Sequence, residues 1–152
     1  MSAVDSAIAA EVGKIMAKES DHKSQYDKLF AVTERVFPTE VKSEADTIPL
    51  TTLMKTVIAL ETGSQVVSRQ LITMIASRVE SCQMNDTSLR ILAEAVLAVL
   101  DTTSLAFEEQ KYAIRMQLAS LHEAARRYIE AVEALRKNCS DCAQRPCSPR
   151  KR

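Results

Sequence analysis

The chain has 152 residues, 20 Lys and Arg against 20 Asp and Glu, and 46% hydrophobic residues. That length suits one domain with a core of its own, and a balanced charge argues against a general nucleic-acid binder, which is normally basic. Only two glycines and four prolines are present, too few turn residues for an all-β sandwich, so the composition points to long helices with short connections.

The aromatic residues are Tyr26, Phe30, Phe37, Phe107, Tyr112 and Tyr128. The core must therefore be filled mainly by Leu, Ile, Val, Met and Ala, the usual material between packed helices. No apolar run approaches the roughly 18 residues of a membrane span. The first ten residues carry Asp5 and no basic residue, unlike a secretory signal. A chain without such a signal is expected in the cytoplasm and nucleus, with its cysteines as thiols.

Helical periodicity runs through almost the whole sequence. Val4, Ile8, Val12, Ile15 and Met16 share one face of a first helix, with acids toward its start and Lys14 and Lys18 toward its end, as the helix dipole favours. Asp21 can cap a second helix with the face Tyr26, Leu29, Phe30, Thr33, Val36 and Phe37, and Pro38 ends it. Thr39 to Ala45 reads as a loop, and Asp46-Thr47-Ile48-Pro49 as the start of a third helix with the face Leu50, Leu53, Met54, Val57 and Ile58.

Gly63 stands where a C-terminal cap belongs, and Ser64 can cap a fourth helix with Val67, Leu71, Met74, Ile75 and Val79 inside. Asp86 is expected to cap a fifth helix, in which only Arg90 and Glu94 are polar between Leu89 and Leu100, the pattern of a helix buried between neighbours. Asp101 to Ser104 is a break with a cap. A sixth helix over Phe107 to Ala124 and a seventh over Arg126 to Lys137 follow, the latter with Tyr128, Ile129, Val132 and Leu135 apolar. Periodicity leaves open whether Ala124-Ala125 is a turn or continuous helix. The sum is an all-α array of about seven antiparallel helices over residues 1–137.

From Asn138 the composition changes. Residues 138–152 hold three of the four cysteines and four basic residues against one acid, with no apolar periodicity, and read as a disordered tail. Cys139, Cys142 and Cys147 have some zinc-like spacing, but a structural zinc needs a fourth ligand and none stands nearby, so no metal site is assigned. Ser148-Pro149-Arg150-Lys151-Arg152 reads as a solvated basic end.

Catalytic patterns are missing. His22 and His122 are the only histidines, two glycines cannot build a phosphate loop or a nucleophile elbow, and there is no His-Glu-x-x-His. Glu108-Glu109 lies near a helix start, where the dipole accounts for it. The expectation is a protein that is not an enzyme, with no catalytic, cofactor-binding or metal residues, and no nucleic-acid, membrane or small-molecule partner.

Three blocks carry more. Val66-Val67-Ser68-Arg69-Gln70-Leu71, then Phe107-Glu108-Glu109-Gln110, then Ile114-Arg115 with Gln117-Leu118-Ala119-Ser120-Leu121-His122-Glu123 resemble, in order and spacing, the N-terminal part of the COP9 signalosome subunit 4 family. The resemblance covers about residues 50–137. It implies a right-handed helical-repeat (TPR/PCI-like) arm, followed in the family by a PCI winged-helix module. It also implies a scaffold role in a complex that removes a ubiquitin-like modifier from cullins, with the other signalosome subunits and cullin–RING ligases as partners. The arm is the part that reaches toward the cullin–RING substrate. Related helical subunits of the proteasome lid or of a translation initiation factor, or an unrelated helical adaptor, are the alternative reading.

After Leu135 the family continues with further repeats, whereas this chain enters the cysteine-rich tail. The sequence is therefore expected to be a C-terminally truncated form without the PCI module. The apolar side of its last helix is expected to be partly exposed or folded back, since each repeat of such an array normally covers the one before.

Overall fold

The computed structural model describes residues 3–61, 65–103 and 106–141. Among them are six α-helices: α1 (Ala3–Lys18), α2 (His22–Val36), α3 (Ile48–Leu60), α4 (Val66–Ser81), α5 (Asp86–Leu100) and α6 (Glu108–Asp141), with a short 3-10 turn over Glu44–Thr47. Chain contacts divide the molecule into two units, Met1–Leu118 and Ala119–Arg152.

The expected all-α class holds, but the helix count is six rather than seven. The sixth and seventh expected helices are one, because Ala124-Ala125 is helical. Alanine is the best helix former, and no glycine or proline interrupts the stretch. Ion pairs one turn apart bracket it, Arg127 with Glu123 at 3.4 Å and Arg126 with Glu130 at 3.6 Å. The helix also runs on through Asn138–Asp141, which the sequence reading placed in the tail. Residues 142–152, with Cys142, Cys147 and the basic end, lie outside the described residues.

In the first unit the core is built mainly from the expected faces, with Ile72 buried in addition and Met74, expected inside, only half-buried. Val12, Leu29, Leu50, Leu53, Met54, Val57, Leu71, Ile72, Ile75, Leu92, Val96 and Ile114 are fully buried. Burying one such side chain stabilises the fold by about 1.5–3 kcal/mol relative to leaving it in water. α1 packs most extensively on α3, and α2 on α4, while α3 and α4 both touch α5. Val4 and Phe30, expected inside, are exposed. Val4 lies in the first turn of α1, and Phe30 instead leans on Tyr26 of the same helix, with ring centres 6.1 Å apart. Within α5 the all-round burial expected is only partial. Leu92, Ala93, Val96, Val99 and Leu100 are buried, whereas Leu89, Ile91 and Leu97 are half-buried and Ala98 is exposed.

The helix ends show how local chemistry sets the boundaries. Asp21 caps α2 as expected, its Oδ1 accepting from the Ser24 amide at 2.7 Å. The cap of α5 is Asn85 rather than Asp86: Asn85 Oδ1 accepts from the Ser88 amide at 2.8 Å, and Asp86 becomes the first residue of the helix. Asp46 does not cap α3: it lies inside the 3-10 turn, whose cap is Ser43, and its carboxylate reaches back to accept from the Ser43 amide at 3.4 Å and the Lys42 amide at 2.8 Å. Gly63, Ser64 and Ser104 lie outside the described residues.

Candidate interaction surface

The residues weighed for chemistry that are described lie on α2, on α6 and just after α4. His22 opens α2, and His122 is exposed on α6. Glu108 and Glu109 occupy the first turn of α6, where Glu108 pairs with Lys111 at 2.9 Å. The Lys111 ammonium is buried and also donates to the carbonyl of Thr103 at 2.9 Å, so it ties the α5–α6 connection to the start of α6. Cys139 lies on α6, and Cys82 follows the end of α4. Among the described residues no group of three or more His, Cys, Asp and Glu is placed to hold a metal ion. No helix of the described residues is long and apolar enough to cross a membrane.

The resemblance blocks divide between core and surface. On α4, Val67, Ser68 and Leu71 are buried, while Arg69 and Gln70 are exposed. At the α6 start, the Phe107 ring is buried although its backbone takes the left-handed φ of 61°. Ile114 and Leu118 are buried, and Arg115 and Met116 face solvent.

Two side chains that periodicity does not single out hold the connections of this layer. The Glu61 carboxylate, buried at the end of α3, accepts from the amides of Val67 at 3.0 Å and Ser68 at 2.6 Å, so it caps α4. Gln65 before α4 has a φ of 57° and supplies no side-chain cap. Ser88 of α5 holds the α2–α3 connection: its Oγ donates to the Val41 carbonyl at 2.7 Å and accepts from the Val41 amide at 3.3 Å. Their sequence signals are weak, because neither pairing obeys a fixed local spacing.

A groove of about 780 Å³ lies between α2 and α4. It is lined by His22, Lys23, Tyr26 and Asp27 on one wall and by Arg69, Gln70, Thr73, Met74 and Ser77 on the other. The far end of the same seam is closed. Arg78 of α4 pairs with Glu34 of α2, and its guanidinium lies 4.7 Å from the centre of the Phe37 ring. The first turns of α2 and α4 thus lie together, and so do their last turns, so the two helices run the same way. The neighbouring seam between α4 and the start of α6 is bridged: Gln110 donates to Thr73 Oγ1 at 2.9 Å, and Gln117 to the Val79 carbonyl at 3.0 Å.

The described residues thus make an all-helical protein whose open groove and charged helix faces are its main features. Over 125 residues, 82% of the chain, the sequence is 36% identical to COP9 signalosome complex subunit 4 of Caenorhabditis elegans. This stretch is homologous to signalosome subunit 4, the family to which the three blocks pointed. The chain spans about 30% of that relative's length. No family model matches the chain, and no solved structure matches it.

Proposed function

We propose that the chain is a non-catalytic scaffold segment of a COP9 signalosome, working in the cytoplasm and nucleus within the assembly that removes a ubiquitin-like modifier from cullins in cullin–RING ligases. The observation that carries this reading is the homology to signalosome subunit 4 along 82% of the chain. The packing order supports a helical-repeat arm. α1 against α3 and α2 against α4 is the pairing of successive two-helix repeats, in which each helix stacks on its equivalent in the next unit. Partners on this reading are the other signalosome subunits and cullin–RING ligases, met through exposed polar faces because the apolar faces fill the core.

Affinity purification of the tagged chain from cells, followed by mass spectrometry and size-exclusion chromatography, tests the proposal. Co-elution with signalosome subunits and cullins is the expected result. Recovery of proteasome-lid or initiation-factor subunits without them, or of the chain alone, would overturn it.

A further inference from the structure

The α2–α4 groove is open where the neighbouring seam between α4 and the start of α6 is bridged, and its chemistry is one-sided. Its walls present Arg69, Lys23 and His22, against a single acid, Asp27. Asp27 is engaged by Lys23 at 3.0 Å, one turn along α2. The Arg69 guanidinium has no hydrogen bond or ion pair among the described residues, while the nearby cations Arg35 and Arg78 each hold an acid. Between these groups the groove offers Tyr26 and the thioether of Met74, both half-buried. Its volume lies in the range of sites that bind small ligands and peptide side chains, roughly 300–1,000 Å³.

We infer that this groove docks an acidic segment of a protein partner, with a carboxylate on Arg69 and an adjacent apolar side chain against Tyr26 and Met74. A guanidinium presents a planar fork of donors that matches a carboxylate in two parallel hydrogen bonds, and a flexible thioether beside an aromatic ring adapts to varied apolar groups. Nucleic acid does not suit the surface. Phosphate backbones are held by several cations at once, and this chain has no net positive charge and one uncommitted guanidinium at the groove. The inference stands independently of which complex the chain joins, since it rests on the groove alone.

The test is selection of a randomised peptide library on the purified full chain, followed by binding of the selected peptides to Arg69→Lys and Arg69→Glu variants. Arg69 is exposed on α4, and unchanged circular dichroism verifies that both variants fold. Enrichment of Asp or Glu next to an apolar residue is expected, with amide shifts confined to His22–Asp27 of α2 and Arg69–Ser77 of α4. Arg69→Glu should weaken the selected peptides by about tenfold or more, the worth of one charge-assisted hydrogen bond, with Arg69→Lys between it and the parent. Neutral or basic winners, shifts elsewhere, or affinity indifferent to Arg69→Glu would overturn the inference. Inorganic phosphate is the control: if it displaces the peptides and reproduces their shifts alone, the groove is a bare anion site and the peptide assignment fails.

Discussion

The Glu61 carboxylate is buried, and two backbone amides of the next helix aim at it. A side chain so placed satisfies donors that a helix start leaves without intrahelical partners, and it puts negative charge where the helix dipole favours it. Glu61→Ala is expected to lower unfolding stability by about 2 kcal/mol, read from urea denaturation, because both amides lose their acceptor. Asp21 does a similar task at the surface of α2. The Ser24 amide, then the Ser24 side chain, hold its carboxyl below the ordinary value of 3.8. A carboxyl whose acidity rises on folding favours the folded state above its unfolded pKa, and that contribution fades as pH falls through the folded value. Asp21→Asn should therefore lose less stability than the parent between neutral pH and acid, as thermal melts at each pH would show. Burial acts oppositely on Cys82, pushing its thiol above the ordinary value of 9.0. Cys82 should alkylate more slowly in the folded protein than after denaturation, as peptide mapping of iodoacetamide adducts would reveal.

Single helices carry the next set of consequences. Ser88 sits on α5 yet serves the α2–α3 connection, where it pairs with both polar groups of the buried Val41 backbone. Ser88→Ala leaves those groups unpaired and is expected to cost about 1–3 kcal/mol, measurable as faster amide exchange at Val41 together with a lower denaturation midpoint. Along α6, proline at Ala125 distinguishes a turn from a helix. Ala125→Pro should reduce helical circular dichroism, because a proline inside a helix removes a hydrogen bond and costs about 3 kcal/mol or more. The helices themselves were legible in the sequence, since the faces of Leu50–Val57 and Val67–Val79 repeat every three to four residues. Asp21 was legible too, as a short-range cap before a periodic stretch. Glu61 and Ser88 were not. Each reaches a partner that its neighbours in sequence do not reveal, and Ala124-Ala125 carries no turn residue to decide it either way.

Across the molecule, apolar surface is uneven. In the second unit, Tyr128 is 73% and Ile129 is 55% exposed, with Val132 half-buried. This agrees with the expected partial exposure of that helix face, although no fold-back occurs along the continuous α6 and the Leu135 side chain lies outside the described residues. Adjacent exposed apolar side chains favour association. The double change Tyr128→Ser with Ile129→Ser is expected to reduce binding of an apolar dye and self-association in light scattering, while the first unit keeps its melting behaviour. The α2–α4 groove was invisible in the sequence for a different reason. His22 and Lys23 stand more than forty positions before Arg69, and only the parallel packing of two non-consecutive helices brings them to one opening.

The Ser88 bond also sets an order in time. It joins positions 47 residues apart, whereas α1 to α4 also pack on one another through contacts that do not involve α5. As the polypeptide emerges from a ribosome, the first four helices can close around Leu50 and Leu71 while the connecting stretch at Val41 still lacks its partner. Only when α5 clears the exit does Ser88 arrive and fasten it. The hydroxyl is a latch that closes late, and a pause in translation just before Asp86 would leave that stretch open to proteases for as long as the pause lasts.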